Sequence, residues 1–265
     1  MTSYQMAQEL ENIMKTPSGR PLRPTQHAER FLIVAILGGT YPPGTHLPSE
    51  RVLAQQIGVT RPTLRETLQR LASEKWVTIQ HGKPTRVNDF WQEGGLSMLS
   101  TLAKYSDCLP NGFIMHLLEL RATLLPTLAR LAARKFPHEL LRHLAHCNHL
   151  VSEATAYARY DWDLQTLMAR HSGNPVFLLI LNDFTSIFHT MAMEYFNHAR
   201  TRQASLNYYQ ELTAAIGLGG QAVSRLVAEA MTQSVVLWEE IRRGSPLHRS
   251  DHKTPNHFQE QGTLQ

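Results

Sequence analysis

The segment Leu47-Pro48-Ser49-Glu50-Arg51-Val52-Leu53-Ala54, followed by Gly58-Val59-Thr60-Arg61-Pro62-Thr63-Leu64-Arg65-Glu66, decides the fold of the first part of the chain. Ser49 is a favoured helix N-cap, and Gly58 ends the helix that follows it. Thr60 can cap a second helix directly after the turn. Two helices joined by so short a turn are typical of a helix-turn-helix, whose second helix enters the major groove of DNA.

The flanking sequence predicts the other elements of a winged helix-turn-helix. A helix is expected over Thr25–Leu37, with its first residue as the N-cap, and the second helix of the motif is expected to run over Arg61–Glu74. Short strands are expected at 76–80 and 85–87, around a turn at His81-Gly82-Lys83-Pro84. The hairpin that these strands form is the wing.

The remainder of the chain has the apolar period of helices, without the alternation of strands. The predicted fold class is therefore mainly α, with a winged helix-turn-helix and a β-hairpin wing followed by an all-α helical bundle. Five segments are expected: an extension (1–24), the winged helix-turn-helix (25–91), a linker (92–104), a helical ligand-binding and dimerisation domain (105–244) and a disordered tail (245–265).

Composition narrows the class of protein. The chain has 265 residues, of which 42% are hydrophobic and 18% charged, which is typical of one or two globular domains. Cys108 and Cys147 alone cannot form a disulfide framework. Without an apolar run of about 20 residues or a signal-peptide layout, the expected location is the cytoplasm, with no membrane partner.

Charge is concentrated in the predicted winged helix-turn-helix. Residues 1–91 carry 11 Lys and Arg against 7 Asp and Glu, whereas residues 92–265 carry 15 of each. All of the net charge of +4 therefore belongs to the first third of the chain. A basic module joined to a neutral one is expected where one part binds a polyanion such as DNA.

The recognition helix carries side chains suited to DNA. Arg61 and Arg65 are one helical turn apart, and arginine can bind guanine O6 and N7 with two hydrogen bonds. Thr60 and Thr63 offer hydroxyls, and the small polar wing tip at 81–83 suits a minor groove. The alternative is that both arginines are only solvated charges on an amphipathic helix.

The residues quoted above resemble the GntR family of bacterial transcription repressors. Thr78-Ile79-Gln80-His81-Gly82-Lys83-Pro84-Thr85, Val87-Asn88 and Phe90-Trp91 resemble, more narrowly, its FadR subfamily. Pro62 stands where that subfamily has a hydroxyl residue, so one donor to DNA is absent. The resemblance implies DNA contacts by Arg51, Thr60, Arg61, Thr63, Arg65, His81, Gly82 and Lys83.

The helical part resembles the effector domain of the same family. Leu117-Leu118-Glu119-Leu120-Arg121 is similar to its opening helix, and many such domains bind a metal through one Asp and three His. Asp161 stands in the Asp place, but the His places hold residues other than histidine. They hold Gln165, Tyr209 and Met231. Because one carboxylate without imidazoles is a poor transition-metal site, no metal is predicted.

The FadR subfamily binds long-chain acyl-CoA, which the resemblance makes the expected effector; no cofactor is expected. The predicted ligand-binding residues are Arg121, Tyr209, Ser234 and Trp238. Ser234 and Trp238 are one helical turn apart, so both can face a cavity. Met231 and Val235 replace glycines of the subfamily and can narrow or reshape that cavity. The alternative for Tyr209 and Trp238 is ordinary core packing.

Two other kinds of site have weaker support. His143, His146, Cys147 and His149 have the residue types of a zinc site, but on one helix with an apolar stripe reaching Val151 they cannot converge. Nucleophile-elbow, P-loop and dinucleotide-binding patterns are missing from the sequence. The chain is therefore predicted not to be an enzyme.

These features and the resemblance together predict a transcription regulator of fatty-acid metabolism that binds a palindromic operator as a homodimer and is released by long-chain acyl-CoA. Within the same class, the effector could be another small carboxylic acid or CoA ester. From other classes, the alternatives are an enzyme or carrier domain tethered to DNA and a ligand-independent DNA binder.

Overall fold

The computed structural model describes residues 22–96, 98–105 and 112–244, and the chain divides into two compact units after residue 110. The first unit has three helices, a hairpin and two short helices. They are α1 (Pro24–Leu37), α2 (Glu50–Ile57), α3 (Arg61–Ser73), β1 (Val77–Thr78), β2 (Arg86–Val87), α4 (Phe90–Glu93) and α5 (Met98–Lys104). This is the predicted winged helix-turn-helix.

Local signals place the helices of the first unit, with one correction. Thr60 is the N-cap of α3, since its Oγ1 accepts the backbone N–H of Thr63 at 3.3 Å. The prediction of Thr25 as the cap of α1 is wrong, because the helix begins one residue earlier, at a proline whose fixed φ suits the first turn. The cap position is held by Arg23, whose backbone N–H donates to the Gln26 side chain at 3.1 Å.

A buried tryptophan connects the wing to α3, because the Trp76 backbone N–H donates to the Leu71 carbonyl at 2.9 Å. Trp76 is fully buried beside the Phe90 ring, with 5.1 Å between ring centroids. The buried Asn88 side chain donates to the Lys75 carbonyl at 3.0 Å and accepts from Thr78 Oγ1 at 2.7 Å. Since buried polar groups are costly unless bonded, these contacts fix both ends of the hairpin relative to α3.

The segment expected as a linker is largely helical. α4 and α5 cover most of it, and both cluster with the first unit. Thr101 of α5 donates to Glu74 at 2.8 Å, and the Tyr105 hydroxyl donates to the buried Glu29 at 3.5 Å. The expected extension up to residue 21 and the expected disordered tail lie outside the described residues.

The second unit is built from helices in the part that the structure describes. They are α6 (Phe113–Lys135), α7 (Pro137–Leu144), a 3-10 turn (Cys147–His149), α8 (Ala154–His171), α9 (Pro175–Phe196), α10 (Ala199–Leu218) and α11 (Gly220–Gly244). α6 packs mainly against α11 and α8, and α9 packs mainly against α8. The predicted fold class is confirmed.

Apolar side chains from all of the long helices form one core. Ala129 and Ala132 of α6 are small enough to let neighbouring helices approach, and both are fully buried with Leu140 and Val227. α9 is different, because by length and composition it could cross a membrane. Several of its apolar side chains line a pocket, whereas others, such as Val176 and Leu179, are exposed.

Candidate DNA-binding face and effector pocket

The predicted DNA-contacting residues lie on α2, the first half of α3 and the hairpin tip. Arg61 and Arg65 are one turn apart on α3, with 58% and 61% of their side chains exposed. Arg51 on α2 is also exposed. This arrangement matches that of a recognition helix, whose N-terminal residues face the bases of the major groove.

The two threonines of this face act as a pair. The Oγ1 atoms of Thr60 and Thr63 lie 2.8 Å apart, and Thr60 is exposed while Thr63 is half-buried. The same Thr60 hydroxyl caps α3, so it both fixes the start of the recognition helix and presents an oxygen at its end. A helix N-terminus also attracts phosphate through its free N–H groups.

The wing presents His81, Gly82 and Lys83 to solvent. Gly82 has a φ of +71°, in the left-handed region that favours glycine, and a Cβ added there would have open space. Glycine is therefore favoured at this position by the backbone conformation of the turn, and not by a lack of space for a side chain. At the base of the wing, Arg86 pairs with Glu93 at 3.0 Å, and this contact lowers the pKa of that carboxyl.

A second candidate site is a pocket inside the second unit. It encloses about 1100 Å³, part of which is open to solvent. Its walls come from α6, α8, α9, α10 and α11 and are mainly apolar. The contribution of α9 includes Ile180, Leu181, Phe184, Ile187, Phe188 and Met191.

Five polar side chains meet beside this pocket, and we call them the Arg121 cluster: Arg121, Asp161, Gln165, Tyr209 and Ser234. The Arg121 guanidinium donates to Asp161 at 3.0 Å, to Ser234 Oγ at 3.4 Å and to Gln165 Oε1 at 3.4 Å. Gln165 Nε2 donates to Asp161 Oδ2 at 2.6 Å, and the Tyr209 hydroxyl donates to Asp161 Oδ1 at 3.1 Å. The charge of the arginine is therefore balanced within the protein.

The structure separates the predicted ligand-binding residues by position. Arg121, Ser234 and Trp238 line the pocket. Tyr209 is fully buried, and its hydroxyl donates to Asp161. The neighbouring Tyr208 lines the pocket. Tyr209 thus contributes to the Arg121 cluster through its bond to Asp161.

Trp238 has an unpaired polar atom. Its side chain is 1% exposed and packs near the Tyr195 ring, with 6.4 Å between centroids. Among the described residues its indole Nε1 has no hydrogen-bond partner, although the atom is buried. A buried donor without an acceptor is costly, and this one belongs to a residue that lines the pocket.

Tyrosine hydroxyls near the cluster stay protonated. Burial raises the pKa of Tyr195 to about 12. Burial, together with the nearby Asp161 carboxylate, also raises the pKa of Tyr208 and holds that of Tyr209 well above its usual range. These groups are neutral hydrogen-bond donors at ordinary pH.

Three of the residues in the metal positions of the wider family are hydrogen-bonded together, because Asp161 accepts from Gln165 and from Tyr209. Both Asp161 oxygens accept hydrogen bonds from side chains of the Arg121 cluster, and a guanidinium provides the balancing positive charge. Met231 lines the pocket. In the described part of the chain, His, Cys, Asp and Glu form no group of three that could hold a metal.

The four-residue His and Cys segment is not one helix, and that prediction is wrong. α7 ends at Leu144, a separate 3-10 turn follows, and Val151 is 61% exposed instead of buried. His143 stacks on Tyr160 at 4.3 Å, and burial lowers its pKa. Cys147 is buried, and burial raises the pKa of its thiol.

Sequence reasoning missed some residues of both sites. Gln165 occupies a histidine position of the family pattern, but its spacing of four from Asp161 puts both on one face of α8 and could have indicated their contact. Tyr195 and Tyr208 carry no signal in the sequence that separates them from core residues. Glu50 carries no local signal of its contacts with Arg61 and Arg65 on α3, because these contacts depend on the turn geometry.

Comparisons with known proteins agree with this architecture. Residues 24–87 match the family described as "Bacterial regulatory proteins, gntR family", and residues 88–248 match "FadR C-terminal domain". The chain is similar to the fatty acid metabolism regulator protein of Shewanella pealeana, with 40% identity over 84% of this chain and 94% of that protein. It is 38% identical to the protein of the same name from Escherichia coli, over 84% of this chain and 94% of that protein.

A solved structure shows the same fold at low identity. The Listeria monocytogenes regulator Lar aligns over 83% of this chain and 99% of its own, with a TM-score of 0.52 and 13% identity. A winged helix-turn-helix followed by a helical domain of this kind defines a class of DNA-binding transcription regulators, which are not enzymes. The chain belongs to the GntR family, and within it to the group with the FadR C-terminal domain.

Proposed function

We propose that the protein regulates fatty-acid metabolism in the bacterial cytoplasm, binding a palindromic operator as a homodimer and leaving it when a long-chain acyl-CoA binds the second unit. The observation that carries the proposal is the apolar pocket with the unpaired Trp238 Nε1. The names of the relatives support the choice of fatty-acid metabolism.

Operator binding is supported by the exposed face of the first unit. Arg61 and Arg65 are available to guanine in the major groove, and Lys83 and His81 at the wing tip are available to a minor groove. Such helices read one half-site each, so two copies reading a palindrome raise affinity and specificity together. The homodimer is proposed on this ground.

The choice of effector is supported by the chemistry of the pocket. Side chains of five helices line the pocket, and most of them are apolar. Its apolar walls suit a long alkyl chain, and Trp238 Nε1 suits a carbonyl oxygen. Since Asp161 already neutralises Arg121, the pocket favours a neutral ester group over a free carboxylate.

Release from DNA would follow from a shift of conformational populations. A ligand can move that equilibrium only through different affinities for the DNA-bound and released states, with a coupling of about 1–3 kcal/mol. An acyl chain would contact the pocket walls, so a difference in their conformation between the DNA-bound and released states would give the two states different affinities for the ligand.

Another carboxylic acid or CoA ester is the second candidate effector, because Met231 occupies space beside Ser234. Calorimetric titration of the full chain with oleoyl-CoA, acetyl-CoA, free CoA and oleate tests the proposal. Oleoyl-CoA is expected to bind at least about tenfold more tightly than each of the others. Equal affinity for acetyl-CoA would favour a short-chain effector, and no binding of any would favour a ligand-independent DNA binder.

A further inference from the structure

We propose that Glu50 is a positioning residue for operator reading, which holds the Arg65 guanidinium so that its terminal amino groups face DNA. The inference rests on the proposed operator binding and adds a residue that does not itself need to touch a base. Glu50 then contributes to the preference of the DNA-binding face for the operator, and not to the general attraction of that face for DNA.

The geometry connects the two helices of the motif. Glu50 is the first residue of α2, and its Oε2 lies 2.6 Å from Arg65 Nε and 3.9 Å from Arg61 Nη2 on α3. The carboxylate is 33% exposed, against 58% and 61% for the arginines. One partly sheltered anion thus lies beside both predicted base-reading cations. The contact with Arg65 is a short, charge-assisted hydrogen bond.

The atom that Glu50 binds determines what Arg65 can still do. A guanidinium has its N–H groups in a planar fork, and a guanine contact uses two of them. Glu50 takes the Nε–H, and within the described residues Nη1 and Nη2 of Arg65 have no acceptor. The end of the fork therefore remains available to a base while the side chain is already oriented.

Glu50 affects DNA binding in two ways, through the orientation that it gives Arg65 and through its own negative charge. A held arginine loses less conformational freedom when it binds a base, which favours the correct operator. A negative charge between cations that face phosphates weakens attraction to any DNA. The first effect raises the ratio of operator affinity to affinity for unrelated DNA, whereas the second lowers both affinities and leaves their ratio unchanged.

The test is the Glu50→Ala variant of the full chain, with dissociation constants measured for an operator duplex and a scrambled duplex at one salt concentration. The ratio of the two affinities is expected to fall by about tenfold. Glu50→Gln keeps an oxygen that accepts from Nε, so its fall is expected to be smaller. Glu66→Ala is the matched control, because exposed Glu66 on α3 makes no ion pair in the described part of the chain.

A double-mutant cycle separates positioning from a merely structural role. In an Arg65→Ala background, Glu50→Ala is expected to leave the ratio unchanged, since there is no guanidinium left to orient. A wild-type ratio in folded Glu50→Ala protein, or an equal fall in both backgrounds, would overturn the inference. If Glu50→Ala does not fold, the same comparison with Glu50→Gln decides it. Failure of the wild type to prefer the operator would instead overturn the proposed function.

Discussion

Arg61 is exposed near the start of α3, so its truncation removes no core contact. Arg61→Ala is expected to cost about 1–3 kcal/mol of operator affinity per half-site, because a guanine contact is lost. The melting temperature and acyl-CoA affinity should not change. Electrophoretic mobility shift with operator and scrambled duplexes measures the effect, with the exposed Arg134→Ala of the second unit as a charge-matched control. Unchanged operator affinity would show that α3 does not read this DNA.

Substitutions of Trp238 distinguish a role in ligand contact from a role in core packing. Trp238→Phe removes the indole N–H and keeps an aromatic ring in the pocket wall. We expect acyl-CoA affinity to fall by roughly five- to tenfold, because a hydrogen bond to the ligand is lost. Stability should stay within about 1 kcal/mol, since the unpaired buried N–H disappears too.

Calorimetric titration and urea unfolding of the same variant measure both effects. Trp238→Ala provides the comparison, because loss of the whole ring should cost about 3–5 kcal/mol of stability. If Trp238→Phe binds acyl-CoA as tightly as the wild type, the indole N–H does not contact the ligand.

Residue-level prediction from the sequence was accurate where one helix or one turn determines the position. Thr60 caps α3 as predicted, because an N-cap bonds to a residue three positions away. The contact between Glu50 and Arg65 was not predicted, since it spans fifteen positions and depends on the angle between two helices. Residue spacing within one helix does not predict which side chains meet across the turn between two helices.

At the scale of elements, the tyrosines around the Arg121 cluster give the second unit a predictable response to alkali. Tyr195 ionises near pH 10 when unfolded, but its pKa in the folded protein is about 12. The unfolded state therefore releases this proton first, so the stability that Tyr195 contributes is constant below about pH 10 and falls as pH rises from there toward 12. Urea midpoints across this range measure the fall, and Tyr195→Phe should make it smaller. A midpoint that stays constant to pH 12 would contradict the buried, neutral state of these tyrosines.

Element boundaries were predictable where strong stop signals occur. Gly58 ends α2 in the left-handed conformation, and Pro175 begins α9 at its first helical position. The break after Leu144 was missed because an apolar spacing of three or four continues through Cys147, and the 3-10 turn carries no Gly or Pro. Apolar period alone does not distinguish one helix from a helix followed by a turn.

At the scale of the whole molecule, two compact units carry the two candidate sites. The division into a basic winged helix-turn-helix and a neutral helical unit follows from charge and period, both of which are readable in the sequence. The Arg121 cluster joins α6, α8, α10 and α11, which are separated by up to 113 positions. Only the fold brings these residues together. A sequence motif can therefore identify some of them as site residues, but it does not predict their contacts.

Operator binding and acyl-CoA binding are proposed to oppose each other in one protein. Fluorescence anisotropy of the full chain on a labelled palindromic operator, titrated with oleoyl-CoA at fixed salt, tests it most directly, because phosphate contacts make affinity salt-dependent. The predicted result is tight operator binding that oleoyl-CoA reverses and free CoA does not. Tight binding that persists at saturating oleoyl-CoA would contradict the proposed effector, and failure to bind the operator would contradict the account of the first unit.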